Sequence, residues 1–195
     1  MSDNAEAIKK EKERVRKEII RRLSDQDPTE RKNRSRDIQQ ELLRSEEYRN
    51  AETVMTYVSL PTEVSTDYFN NEALKQGKKV LVPYLEPGDP TIRISEFTSS
   101  ESLLEGPFGI RQPKEESKRT IPLKEIDLVV VPAIAYDMSN MRLGRGKGCY
   151  DAFLSAGDLS QAKTIGLAFS FQIVDSLPSS SHDRPVHRVI TELPI

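Results

Sequence analysis

The sequence predicts an α/β fold, a single domain with a mostly parallel central sheet and helices on both faces. Three observations carry this. Two helical patterns open the chain. A strand–helix–strand unit with short links follows, and such a unit favours a parallel pair with a right-handed crossover. A near-continuous apolar strand, Ile126-Asp127-Leu128-Val129-Val130-Val131, then calls for cover on both faces.

The elements follow in order. Ile8, Val15, Ile19 and Leu23 recur at spacings of seven and four and mark one face of a first helix. Asp27 as N-cap, Pro28 at the first helical position and Glu30 start a second helix, whose apolar stripe is Ile38, Leu42 and Leu43. Residues 1–50 form this helical part, packed on the sheet. Val54 to Val58 is a β-rich run ended by Pro61. Asp67 to Gln76 reads as a helix stopped by Gly77, and Lys79 to Val82 as a strand before Pro83. Residues 84–122, with five prolines, read as a strand near Ile92–Phe97 plus loops. Thr164 to Phe169 and Val189 to Thr191 complete the strands. The domain spans residues 1–195.

Composition narrows the function classes. The 195 residues carry 29 Lys+Arg against 31 Asp+Glu, a net of −2, which argues against a dedicated nucleic-acid binder. No apolar run of about 18 residues is present, so no transmembrane helix is expected. The start, with Asp3, Glu6, Glu11, Glu13 and Glu18, lacks a signal-peptide core and is too acidic for a mitochondrial transit peptide. Cys149 is the single cysteine, which excludes an internal disulfide or a multi-cysteine zinc site. The expectation is a cytoplasmic protein with small-molecule partners and no membrane contact; its polar composition points to a monomer.

The chemistry concentrates in Arg142-Leu143-Gly144-Arg145-Gly146-Lys147-Gly148-Cys149-Tyr150-Asp151. This run follows the strongest strand after a loop, Ala133 to Met141, and opens a helix over Tyr150–Leu154. Three alternate glycines let backbone N–H groups turn toward a ligand. The helix start adds partial positive charge, and Arg142, Arg145 and Lys147 add three full charges. A glycine-rich turn with solvated arginines is the ordinary alternative. Three glycines, three cations and a strand-to-helix junction in ten residues favour a polyanion site, most simply for a nucleotide polyphosphate. The spacing matches neither the P-loop nor the dinucleotide fingerprint.

Lys12 and Arg16 lie four apart on the first helix, in line with its apolar positions. Residue types leave open whether they snorkel at the edge of the stripe or reach inward to an anion. Asp151 can cap its helix or face a phosphate-bound metal, and Asp183 can add a second oxygen ligand for Mg²⁺, which accepts few protein ligands. Glu63 follows a strand end, where α/β proteins bind ligands. His182 and His187 read as non-metal residues, and Cys149 as a small filler.

These residues resemble the 5-formyltetrahydrofolate cyclo-ligase family over about Ile8 to Glu192. The family pattern is roughly Arg-Leu-Gly-x-Gly-x-Gly-Tyr-Tyr-Asp, against Arg142 to Asp151 here. Lys12 with Arg16, the Val58-to-Thr66 element with Glu63, Phe108 to Pro113, and Leu177 to Glu192 match in the same order. The resemblance implies a fold of the sugar-phosphate isomerase and CoA transferase kind. It implies an ATP- and Mg²⁺-dependent ligase that converts 5-formyltetrahydrofolate to 5,10-methenyltetrahydrofolate. Lys12, Arg16 and Arg142 through Tyr150 would contact ATP. Val58, Glu63 and Arg145 through Cys149 would contact the folate, and Asp151 and Asp183 would hold the metal. Arg145 and Lys147 would stabilise transition-state charge. Two departures stand out: Cys149 replaces the first Tyr of the pattern, and Asn140-Met141 stands where the family has Gly before Arg-Leu-Gly. Asn tolerates a left-handed backbone, which preserves the turn. A non-catalytic folate- or nucleotide-binding paralogue is the alternative, with a sugar-phosphate isomerase or deaminase behind it.

Overall fold

A computed structural model describes residues 2–194 other than 87, 107, 108, 116, 117, 119, 120, 181 and 182, with side chains from Glu6 onward. Phe108 and His182 therefore lie outside the described residues.

The helical opening consists of α1 (Ser2–Ser24), α2 (Pro28–Arg44) and a short α3 (Glu46–Asn50). Asp27 accepts hydrogen bonds from Thr29 N and Glu30 N, so the cap expected from the sequence is made. β1 (Thr53–Met55), α4 (Asp67–Lys75) and β2 (Lys79–Tyr84) form the strand–helix–strand unit, and β1 and β2 are parallel. β1 stops at Met55 rather than continuing to Val58: Thr56 N still donates to the Leu81 carbonyl at 2.8 Å, and the chain beyond it, at Tyr57 and Val58, lines the site. β2 runs through Pro83: at the sheet margin the strand pairs with antiparallel β3 (Arg93–Glu96), and Pro83 lies opposite Ile94.

The main sheet runs β11–β9–β6–β1–β2–β3, with β6 at Leu128–Pro132, β9 at Lys163–Leu167 and β11 at Arg188–Ile190. Every pair except β2–β3 is parallel. Side chains alternate between faces, as strand geometry requires. Val54, Val80, Val82, Leu128, Val130, Ile165 and Leu167 meet α1, α2 and α4 through Val15, Ile19, Leu23, Ile38, Leu42 and Phe69. Met55, Leu81, Val129 and Val131 face the other way onto Ile126, Phe153, Leu159 and Ala162. Both faces are thus covered, the second by a short helix and loops. Asp127 ties the strand starts together, accepting from Glu52 N and Thr53 N at 2.8 Å each.

Residues 84–122 hold more structure than the sequence suggested. A hairpin, β4 (Leu103–Glu105) with β5 (Arg111–Pro113), follows β3. The segment expected as a loop after β6 contains β7 (Ala135–Asp137), which pairs with β8 (Arg142–Leu143) and β10 (Ile173–Val174) in a small sheet. Strands of two or three residues carry too little periodicity to read from sequence.

From β1 the chain moves to β2 on one side and later to β6 on the other. The strand order reverses at β1–β6, the point where open α/β sheets leave a crevice beyond their carboxyl ends. No helix among the described residues is long and apolar enough to cross a membrane.

Candidate active site

A cavity of about 550 Å³ opens at that crevice. Val58 and Glu63 enter from the chain after β1, Pro83 and Tyr84 from the end of β2, and Pro132 and Ala133 from the end of β6. The run from Arg142 to Asp151, Lys12, Arg16 and Asp183 supply the rest. One cavity therefore brings together every site residue named from the sequence.

The loop is built by its neighbours. The buried Asp137 carboxylate accepts from Ser139 N and Met141 N through Oδ1 and from Leu177 N through Oδ2. This fixes the β7–β8 turn, in which Asn140 takes φ 60°, the left-handed conformation expected of an Asn standing in for Gly. Gly146 (φ 97°) and Gly148 (φ 70°) then carry the chain through backbone that other residues rarely adopt. Gly148 leads into α5 (Cys149–Leu154). This helix starts at Cys149, one residue before the expected Tyr150, and has six residues, so the partial charge at its start is small beside the full charges of the loop.

The cations divide into supports and exposed groups. The Arg142 side chain is 2% exposed and pairs with Asp151 at 2.6 Å. It is thus an internal support, not a third exposed loop charge, because burial requires a partner. Arg145 is exposed and donates to Glu63 at 2.8 Å, and Lys147 lies exposed on the same loop. Glu63 also accepts from Leu60 N, so it closes its own turn while facing the loop. Lys12 and Arg16 extend the buried stripe of α1 and reach inward. Lys12 pairs with Asp183 at 2.6 Å, and Arg16 Nε donates to the Gly144 carbonyl at 2.8 Å. Cys149 Sγ contacts the Lys147 carbonyl at 3.9 Å.

Burial pushes the Asp183 carboxyl up, but hydrogen bonds from Lys12 and Ser180 outweigh it and hold it below the usual carboxylate value. Burial, with Glu63 nearby, pushes the Tyr150 hydroxyl well above its ordinary value, so it remains a donor. That hydroxyl and Arg142 Nε are buried and have no hydrogen-bond partner among the described residues. Unsatisfied donors beside a cavity fit an anionic or carbonyl ligand.

Among the described residues no group of three or more His, Cys, Asp or Glu is assembled for a metal. Asp151 and Asp183 line one cavity, and Arg184 N, next to Asp183, donates to Asp151 at 3.3 Å. Two carboxylates suit Mg²⁺ held chiefly by phosphate oxygens and water. His187 Nδ1 accepts from Thr164 N at 3.0 Å.

Sequence reasoning missed Tyr57, Leu85, Ile110 and Gln112, which also line the cavity. The last two come from the hairpin segment, where Gln112 accepts from Leu85 N at 3.2 Å. The only sequence signal there was the weak Phe108-to-Pro113 match.

The sequence model of the 5-formyltetrahydrofolate cyclo-ligase family matches residues 8–192. The 5-formyltetrahydrofolate cyclo-ligase of Mus musculus is 30% identical over 196 residues, covering 96% of this chain and 97% of its own length. The Escherichia coli enzyme of the same name is 28% identical over 142 residues, covering 72% of this chain and 78% of its own. Among solved structures, the 5,10-methenyltetrahydrofolate synthetase of Aquifex aeolicus superposes with a TM-score of 0.80 at 29% identity. The match covers 93% of this chain and 89% of that one. With the order of motifs, the fold and the composition of the cavity in agreement, the chain belongs to the 5-formyltetrahydrofolate cyclo-ligase family, a family of ligases.

Proposed function

We propose that the chain catalyses the ATP- and Mg²⁺-dependent conversion of 5-formyltetrahydrofolate to 5,10-methenyltetrahydrofolate, releasing ADP and phosphate. The observation that carries the reading is the convergence of Arg16, Arg145, Lys147, Glu63 and two unsatisfied buried donors on one cavity at the sheet's switch point.

A formamide oxygen is a poor leaving group. In this reading it attacks the γ-phosphorus of ATP, and the bond to ADP breaks. The formyl carbon becomes electrophilic. N10 attacks it and loses its proton, and phosphate departs with the former formyl oxygen as the ring closes. Phosphoryl transfer asks for positioning and charge neutralisation rather than covalent help. Lys12, Arg16 and the backbone from Arg142 to Tyr150 orient the triphosphate. Arg145 and Lys147 meet the charge that develops during transfer, usually the largest catalytic contribution. Val58 and Glu63 orient the pterin, and the loop from Arg145 to Cys149 serves both substrates. Asp151 and Asp183 would hold Mg²⁺, which when bound neutralises phosphate charge.

A spectrophotometric assay for the methenyl product tests the reading. Product should form only when 5-formyltetrahydrofolate, ATP and Mg²⁺ are all present. ATP and folate binding without product would indicate a binding paralogue, the outcome to which Cys149 gives its support.

A further inference from the structure

The β4–β5 hairpin stands apart from the main sheet, yet Gln112 of its second strand and Ile110 just before that strand line the cavity. A two-stranded hairpin is marginal by itself in water, so its place at the site depends on what docks it. Leu103 and Pro113 lie opposite each other, both buried, and fix its open end. The other end carries Ile110 to the ligand space, where it forms an apolar wall with Leu85 and Ile92. Gly109 and Arg111, on either side of Ile110, border an adjoining cavity together with Leu60 and Glu63. The hairpin therefore stands at the Glu63 end of the site.

Gln112 ties this end down. Its Oε1 accepts from Leu85 N at 3.2 Å, and its Nε2 donates to the Leu85 carbonyl at 3.4 Å. A primary amide that meets both backbone groups of one residue copies the exchange between paired residues of an antiparallel ladder. Leu85 follows the last residue of β2, so the amide pairs with the chain where the strand ends. Gly106 makes room for it. A Cβ at Gly106 would lie 2.5 Å from Gln112 Cδ and 2.9 Å from its Oε1. The backbone at Gly106 is not left-handed, so glycine is needed there for space and not for conformation.

We propose that Gln112 is a positioning residue for the folate: by clasping the hairpin to Leu85 in the slot left by Gly106, it holds Ile110 as a preformed wall on the pterin side. This rests on the reading of the Glu63 end as the folate's. The amide is occupied by Leu85, so Gln112 acts through the hairpin and not on the reacting atoms. A hairpin released from Leu85 must be ordered again whenever a ligand binds, and that cost appears as lost affinity.

Steady-state kinetics with each substrate varied in turn, on wild type, Q112A, G106A and the Q112A/G106A double variant, tests this. Each single variant should raise the KM for 5-formyltetrahydrofolate about tenfold, the scale of two neutral hydrogen bonds, while kcat and the KM for ATP stay within about twofold of wild type. The double variant should be no worse than Q112A, because the alanine methyl then has no amide to displace. A merely structural loss would lower kcat with the folded fraction and leave both KM values alone. An unchanged folate KM in either single variant, equal rises in both KM values, or effects that multiply in the double variant would overturn the clasp. Should Q112A not fold, G106A carries the test alone. Hydrogen exchange on the ligand-free proteins answers independently of turnover: G106A and Q112A should exchange faster at Leu85 and across Leu103–Pro113, while β6 and β9 stay protected. Wild type that forms no methenyl product would overturn the reaction itself. Exchange would still decide the clasp, and unchanged exchange at Leu85 would overturn it.

Discussion

Arg16 Nε and the Gly144 carbonyl oxygen, 128 residues apart in sequence, meet at 2.8 Å. The contact hangs the glycine loop on the first helix. A side chain at Gly146 would sit 3.6 Å from the same guanidinium, so the loop lies flat against it. With Lys12–Asp183 four residues earlier, α1 clamps the loop and the chain before β11 from one side. The cations that extend the helix's buried stripe thus set the shape of the cavity as well as its charge.

Arg145→Ala and Lys147→Ala should each lower turnover by about 100-fold, the usual cost of removing one group that meets transition-state charge. Both side chains are exposed, so melting temperatures should barely move. Steady-state kinetics beside thermal melts checks both halves. Near-normal turnover in the two variants would remove these residues from the chemistry.

Tyr150→Phe should separate stability from function. The hydroxyl is buried and has no partner among the described residues, so losing it costs the fold nothing and removes an unsatisfied donor. In the folate–ATP complex it should meet a ligand oxygen, and the variant's KM should rise. Thermal melts of the free protein and KM measurements read the two effects separately.

The Lys12–Asp183 pair predicts a pH dependence. Asp183 is held below its usual value, so the unfolded chain takes up its proton first as pH falls. The contribution is fully present above about pH 3.9, the unperturbed carboxylate value, and is lost as pH drops through the depressed one. Melting temperatures of wild type and Asp183→Asn should differ at pH 7 and converge below about pH 4. A gap that persists or widens under acid would show that the ion pair is not its source.

Cys149→Tyr should tighten folate binding, because an aromatic ring at the loop's last turn can pack on the ligand. Cys149 is half-exposed at the cavity wall, so room for the ring lies on the ligand side. Weaker or unchanged affinity by titration would indicate a pocket rebuilt around the cysteine.

Much of this was legible in the sequence, for identifiable reasons. The central strands β1, β2, β6 and β9 are buried on both faces and read as apolar runs. Asp27 and Pro28 announce α2, and Asn140 announces the left-handed turn. The roles of the loop cations were not legible. Arg142, Arg145 and Lys147 look alike in sequence, yet Arg142 is buried against Asp151 while Arg145 faces Glu63, a residue 82 positions away. Such partners are set by tertiary geometry. The β4–β5 hairpin and the β7–β8–β10 sheet were missed because their strands are too short to show a period. With the hairpin went Gln112 and Ile110 at the cavity.

The most direct test of the central claim follows a single oxygen. 5-Formyltetrahydrofolate labelled with ¹⁸O in its formyl group is incubated with the protein, ATP and Mg²⁺, and the released phosphate is analysed by mass spectrometry. Transfer of the γ-phosphoryl group to the formyl oxygen predicts one ¹⁸O in the phosphate for each methenyl product formed. Methenyl product with unlabelled phosphate, the label appearing in water instead, would contradict it.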